Sequence, residues 1–107
     1  GELTVTSVAG TEASGDTVIT VAGNGIFADG IPMEGLKLVY CTGTDAAVSL
    51  TYNAVPTTGA GITWADMTTN PKTLASQTAN KYITVALVNK QTGFVVAGGN
   101  TQLVVKA

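Results

Sequence analysis

The chain of 107 residues contains no histidine and a single cysteine. Without histidine it cannot build the Ser–His or Cys–His pairs that activate most nucleophiles. One cysteine excludes an internal disulfide and any metal site made of several thiolates. Cys41 stands in the apolar stretch KLVYCTG, where a free cysteine usually serves as a small buried hydrophobe. We therefore expect no reactive thiol.

Charge is also scarce: charged residues are 11% of the chain, and the formal net charge is −2. The five basic residues are all lysines scattered along the sequence, whereas phosphate binding needs a clustered basic surface. We expect no nucleic-acid partner and no binding to anionic membranes. No apolar run approaches the roughly 18 residues of a membrane-spanning helix. The start, GELTVTSVAG, shows no signal peptide, and we interpret Gly1 as a cut in a longer chain.

Seven Asp and Glu residues remain as candidates for chemistry. Most stand beside Gly, Thr or Ser in turn-like surroundings, where carboxylates usually bond to the local backbone or face water. A glycosidase would need two of them about 5 to 10 Å apart. No Asp-x-Asp ladder of the calcium-binding kind is present, although an incidental calcium site at Asp29 or Asp45 stays open. We predict no catalytic residue, no metal site and no cofactor, and hence no enzyme.

Strand-forming residues dominate what is present. Hydrophobic residues make up 45% of the chain, and 18 threonines provide much of the polar remainder. Threonine is β-branched and suits the polar face of a strand. Short alternating segments separated by turn residues predict strands at 3–8, 17–22, 36–42, 47–55, 82–88, 94–97 and 102–106. Weaker signals predict a short strand at 62–64, and a short strand or one helical turn at 73–77.

The intervening stretches indicate loops and turns. Residues 26–35 hold an Asp-Gly pair and Pro32, which indicate a loop with at most a short edge strand. Residues 89–93 fit a hairpin turn, and Gly98-Gly99 fits a turn or a bulge between the last two strands. No helical period of adequate length appears. The pattern predicts one all-β domain, 1–107, forming a two-sheet sandwich or small barrel of seven to eight short, mainly antiparallel strands.

Aromatic residues are only 6% of the chain. The three tyrosines stand in apolar strand patterns and are expected in or near the core. Phe27 and Trp64 stand in loop-like stretches, where an exposed ring can stack on a ligand, although packing is the commoner use of a lone tryptophan. Phe27 and Trp64 are therefore the candidate contacts with a ligand or partner. Two rings are too few for a convincing sugar-binding platform.

Four segments, in their order along the chain, resemble a small domain of tailed-phage virion proteins. These segments are LTVTSVAGTEASGDTVITVAG, LKLVYCTGTDAAVSLTYNAV, ITWADMTT and KYITVALVNKQTGFVVAGGNTQLVVKA. Domains of this family are appended to capsid or head-fibre proteins. The resemblance covers nearly the whole chain, but its motifs are turns and strand faces, which specify a fold better than a function. The stretches GIFADGIPMEG and TTGAG depart from the family pattern and lie in predicted loops.

The resemblance implies an immunoglobulin-like β-sandwich on the surface of a virus particle. Such a domain would be a non-enzymatic decoration or head-fibre domain, with capsid or fibre subunits as partners, self-association, and weak adhesion to the host surface. The alternative is a carbohydrate-binding or adhesin module of a bacterial cell-surface protein, which would bind a surface glycan. Outside a virion, the expected location is extracellular or at the cell surface.

Overall fold

The computed structural model describes residues 2–107, and this part of the chain forms strands and loops without a helix. Seven strands follow one another: β1 (Leu3–Ala9), β2 (Thr17–Gly23), β3 (Leu36–Thr44), β4 (Ala65–Met67), β5 (Lys72–Leu74), β6 (Tyr82–Asn89) and β7 (Val95–Gln102). The all-β prediction is confirmed. Of the two alternatives at 73–77, the structure has a short strand, β5, which begins one residue earlier.

The strands form two antiparallel sheets, ordered β1-β2-β5 and β4-β3-β6-β7. In immunoglobulin domains the second and fifth strands likewise share one sheet, while the third, sixth and seventh share the other. The predicted two-sheet β-sandwich is confirmed. The radius of gyration is 13.0 Å, which is the value expected for a compact domain of this length.

The main core lies between the sheets and follows the alternation of the strands. On β1 and β2, Leu3, Val5, Ile19 and Val21 are buried, and the threonines between them face water. The other sheet contributes Leu38, Met67, Ile83, Val85, Leu87 and Ala97 to the same cluster. Each fully buried aliphatic side chain stabilises the fold by about 1.5–3 kcal/mol, so this stripe pattern is the main reason for the fold.

A second core covers the outer face of the four-stranded sheet. Residues 83–88 of β6 are all buried, so both faces of this strand are covered. Ala86 and Val88 form this second cluster together with Val39 and Val95, and Leu50 and Trp64 pack against it. A strand buried on both faces needs a layer on each side, and here segment 45–64 is the outer layer.

Segment 45–64 corrects two predictions. Residues 47–55 and 62–64 were predicted as strands, but neither forms one. The amide of Val48 donates to Thr84 Oγ1 at 2.9 Å, and Asn53 N donates to the carbonyl of Val95 at 2.9 Å. The segment therefore lies across the sheet. It is held by isolated hydrogen bonds to residues of β6 and β7 and does not form a continuous ladder of backbone hydrogen bonds with a neighbouring strand. We call it the covering segment.

The strand predicted at 94–97 runs on to Gln102 as β7, because Gly98 and Gly99 continue it instead of turning the chain. An ideal Cβ on Gly98 would lie 2.6 Å from Leu50 Cδ1, and one on Gly99 would overlap the carbonyl oxygen of Leu3. The glycines allow close approach of other chain segments, a common use of glycine within strands. The bulge lies at Val96, since Leu87 pairs with Ala97 and Val88 pairs with Val95.

The C-terminal segment 103–107 closes one side of the sandwich without forming the predicted strand. Leu103 is buried in the main core, and its amide donates to Lys81 O at 2.7 Å. Further along, Lys106 N donates to Asp16 O at 2.9 Å, beside β1 and the β1–β2 turn. β1 and β7 are the terminal strands on the other side, where Glu2 bridges to Gly98 and Val104 N donates to Ser7 Oγ. The open sheet edges are therefore β4 and β5, each three residues long. Short edges offer little template for pairing with another chain.

Candidate functional site

The carboxylates are spread over the domain, and Asp16 and Asp29 bond to nearby backbone groups. Among residues 2–107, no three Cys, Asp or Glu side chains come together as a metal site. Asp29 Oδ1 accepts from Ile31 N at 3.1 Å, and Asp16 Oδ2 accepts from Ala13 N at 3.1 Å, so both stabilise turns. The arrangement does not favour the calcium site left open at Asp29 or Asp45. The predicted lack of enzymatic activity remains a prediction.

Asp45 is the carboxylate with the clearest electrostatic perturbation. It forms an exposed ion pair with Lys81, which precedes β6. The hydrogen bond from Lys81, together with its positive charge, lowers the pKa of Asp45 below the ordinary value. An exposed ion pair of this kind contributes little to stability. It fixes the start of the covering segment to the sheet.

Cys41 lies in β3 beneath the covering segment and is 1% exposed. Its neighbour across the sheet is Thr84. The predicted role as a small buried hydrophobe is confirmed. A thiol in this position is out of reach of solvent reagents.

Phe27 lies at the tip of a miniature hairpin in the β2–β3 loop, which we call the 24–35 loop. Ile26 pairs with Pro32, while Phe27 N donates to Ile31 O at 2.9 Å and Gly30 N donates to Phe27 O at 2.8 Å. Met33 N donates to Gly25 O at 2.8 Å and extends the pairing. The predicted loop is therefore confirmed, and its backbone is well bonded.

Three large apolar side chains share one face of this miniature hairpin. Residues opposite each other in an antiparallel pair, and residues two apart along a strand, point to the same side. Phe27 is opposite Ile31, and Met33 is two residues further on. Their exposed fractions are 57%, 58% and 47%. We call these three side chains the apolar tip.

Asn70 fixes the 24–35 loop to the body and was not identified from the sequence. Its Oδ1 accepts from Val21 N at 3.0 Å, and its Nδ2 donates to Val21 O at 2.8 Å and to Gly30 O at 3.0 Å. The side chain thus extends the pairing of β2 beyond β5. The Asn70-Pro71 dipeptide, which has a cis peptide bond, indicated a turn, but sequence alone gave no partner for the amide.

Trp64 lies on the other candidate surface, a groove of about 350 Å³ on the outer face of the four-stranded sheet. Its walls include Val39, Val55, Pro56, Trp64 and Val88, and we call it the Trp64 groove. The indole is half-buried against the second core, and its Nε1 donates to Thr57 O at 2.8 Å. Lys37 and Asp66, paired at 3.2 Å, also line the groove, together with Thr58 and Gly93.

The structure does not bring the two predicted contact residues together. No residue of the 24–35 loop lines the Trp64 groove. Phe27 and Trp64 therefore belong to separate surfaces of the chain and cannot form one stacking platform. Trp64 also serves as the packing residue that the sequence favoured.

A depression with a volume of about 660 Å³ lies between the covering segment and β7. Its lining is rich in polar groups, including Glu2, Ser49, Tyr52 and Asn100. Tyr52 was expected in or near the core, but it is 47% exposed because the predicted strand 47–55 does not form. This volume lies in the range of small-molecule sites.

Comparisons of the chain with protein-family models, curated protein sequences and solved structures found no match. The predicted relation to phage virion domains therefore remains a prediction. The described residues, 2–107, contain no helix long and apolar enough to cross a membrane.

Proposed function

We propose that this chain is a non-enzymatic structural domain of a tailed-phage virion that decorates the capsid or projects from it as part of a head fibre. Weak adhesion to the host surface would accompany this role. The resemblance of the four sequence segments supports the setting. The observation that carries the proposal is the way in which the connections between strands are bonded to the body of the sandwich.

A domain displayed on a particle is exposed to proteases, which cleave chain that opens locally. The two longest irregular regions here are the covering segment and the 24–35 loop, and segment 103–107 is a third. Each is bonded to the body of the sandwich, the 24–35 loop through Asn70, the covering segment through Thr84 and segment 103–107 through Lys81. Little of the described chain is therefore free to open.

Display in many copies also requires protection from edge-to-edge pairing. The open edges are the short strands β4 and β5, and β5 carries Lys72. Of the other lysines, Lys37 lies in the interior strand β3, and Lys81 and Lys106 lie outside the strands. The short length of these edge strands, more than their charge, limits their pairing with another chain.

Quantitative mass spectrometry tests the proposal on gradient-purified particles of a tailed phage that encodes this reading frame. The domain should occur in a fixed ratio to a capsid or fibre subunit. A phage-encoded replication protein serves as the control and should be absent from the particles. Recovery of the domain only from the soluble lysate would refute a virion role.

A second candidate is a glycan-binding module, which is favoured by the half-exposed Tyr52 in the polar depression and by the aromatic wall of the Trp64 groove. A glycan array with the 107-residue chain tests it. Binding that is lost in Tyr52→Ala or Trp64→Ala, but kept in Phe27→Ala, would support this candidate, because Phe27 lies on a separate surface. Circular dichroism should first show that each variant is folded.

A further inference from the structure

The turn that joins β2 to the 24–35 loop contains the dipeptide Asn24-Gly25. Of the six asparagines in the chain, Asn24 alone is followed by glycine. Glycine has no side chain to shield its backbone nitrogen, so this nitrogen can approach the amide carbon of the preceding asparagine side chain. Among the asparagines, Asn24 is therefore the most open to attack by its own backbone.

The structure leaves both reacting groups of this dipeptide without a hydrogen bond. Ile26 N donates to Gly23 O at 3.2 Å, and Gly25 has a φ of 92°, which is typical of the third residue of a type II turn. The bond that closes this turn does not use Gly25 N. Within residues 2–107, neither Gly25 N nor the exposed side chain of Asn24 forms a hydrogen bond. No bond must break before the two groups meet.

The dipeptide Asp29-Gly30, in the same loop, provides the internal comparison. An aspartate followed by glycine can close the same kind of ring. Here, however, Gly30 N donates to Phe27 O at 2.8 Å. Asp29 Oδ1 accepts from Ile31 N at 3.1 Å. The attacking nitrogen and the carboxyl group are thus both engaged, and these bonds oppose ring closure.

We propose that Asn24-Gly25 is a site of spontaneous deamidation in the folded chain, whereas the fold protects Asp29-Gly30 from the corresponding isomerisation. Gly25 N gives its proton to a solvent base and bonds to Asn24 Cγ. The Cγ–Nδ2 bond breaks, and the amide nitrogen takes a proton from water and leaves as ammonia. Water then opens the resulting succinimide at either carbonyl and yields aspartate or isoaspartate. The net reaction consumes one water and releases one ammonia.

Either product changes the base of the loop that carries the apolar tip. The new carboxylate adds one negative charge to the formal net charge of −2. Isoaspartate also lengthens the main chain by one methylene group, next to the bond of 2.8 Å from Met33 N to Gly25 O. A Cβ on Gly25 would lie 2.7 Å from Leu87 Cδ2, so the backbone lies against the main core. The isoaspartyl form should therefore displace the start of the loop.

Incubation of the 107-residue chain at neutral and at mildly alkaline pH, followed by peptide mapping with mass spectrometry, tests the proposal. Deamidation replaces an NH₂ group with OH and raises the mass of the peptide that contains Asn24. The gain should appear at Asn24 before any other asparagine. It should be faster at the higher pH, because Gly25 N must lose its proton. Fragmentation by electron transfer distinguishes isoaspartate from aspartate.

A synthetic peptide of residues 20–33 is the unfolded reference and contains both dipeptides. Asn24 should react in the folded chain within about tenfold of its rate in the peptide, because no hydrogen bond has to break. Isomerisation of Asp29 should be at least about fivefold slower in the folded chain than in the peptide, because two hydrogen bonds must break first.

Asn24→Gln is the matched control. It keeps an exposed amide, but the longer side chain would have to close a larger and less favourable ring, so position 24 should show no gain in mass. Circular dichroism should show that the variant is folded.

Three results would overturn the proposal. The first is an Asn24 that reacts more than about tenfold more slowly in the folded chain than in the peptide, or later than another asparagine. The second is equal isomerisation of Asp29 in the chain and in the peptide. The third is an undiminished gain in mass at position 24 in Asn24→Gln. None of these rates affects the copy number measured in particles, so the virion role is tested separately.

Discussion

Replacing Gly99 with alanine tests the junction between the two sheets. Gly99 lies in β7 where the backbone of Leu3 passes beside it, and Glu2 forms a parallel bridge with Gly98. A Cβ on Gly99 would overlap the carbonyl oxygen of Leu3. A backbone atom within a paired strand cannot move away alone, so β1 and β7 must separate locally.

Overpacking of this kind costs about 1–3 kcal/mol. Because the neighbour is backbone, we expect Gly99→Ala to lie at the upper end, at about 2–3 kcal/mol. At Gly98 the nearest atom is the mobile end of the Leu50 side chain, so Gly98→Ala should cost about 1 kcal/mol. At Gly59 the nearest atom is Ile62 Cδ1 at 3.5 Å, and Gly59→Ala should be neutral or stabilise by up to about 1 kcal/mol through the unfolded state.

Urea unfolding followed by tryptophan fluorescence measures the stability of all three variants. The urea concentration at the midpoint should be highest for Gly59→Ala, lower for Gly98→Ala and lowest for Gly99→Ala. The loss at Gly99 would be a large share of the roughly 5–15 kcal/mol that stabilises a small domain. Equal stability of the Gly99→Ala and Gly59→Ala variants would refute the close passage of β1 beside β7.

Three further changes test other parts of the structure. Asn70→Ala should cost about 1–3 kcal/mol, since it leaves the backbone groups of Val21 without partners; a loss below about 0.5 kcal/mol in urea unfolding would count against the role of the amide. Leu103→Ala should cost about 2–5 kcal/mol because Leu103 is 2% exposed in the main core, whereas Val104→Ala, at 52% exposed, should change stability by no more than about 0.5 kcal/mol. Lys81→Gln should raise the pKa of Asp45 toward its ordinary value in an NMR titration, because both causes of the lowered pKa come from Lys81. In the original chain the depressed pKa stabilises the fold above the ordinary carboxyl pKa, and this contribution is lost as the pH falls through the folded value. High salt should reduce the shift, and a pKa of Asp45 unchanged by Lys81→Gln would contradict the ion pair.

Alternation along the sequence located the strands that form the main core. The predicted bounds of three strands, at 3–8, 17–22 and 82–88, agree with the structure to within one residue. One face of each strand packs on the main core. The other face carries polar residues in the first two strands and packs on the second core in the third. Alternation failed at 47–55 for a physical reason. An apolar residue every second position indicates a surface to be covered, but it does not indicate whether the backbone finds a neighbouring strand.

The Gly98-Gly99 pair failed for a related reason. Glycine suits a turn and also suits close approach within a strand, and only the position of Leu3 and Leu50 separates these uses. The same limit applied to the candidate site. Sequence correctly suggested that Phe27 is exposed, but neither the Trp64 groove nor the bonds of Asn70 could be predicted, since both depend on segments distant along the chain.

Display of this sandwich on a virus particle is tested most directly by cryo-electron microscopy of purified virions. The fold predicts a density with dimensions near 38 × 33 × 18 Å on the outer surface of the capsid or along a head fibre. In particles that lack the coding segment for residues 1–107, that density should be missing while the rest of the particle remains. Particles with and without the segment that give the same map would contradict the proposed function.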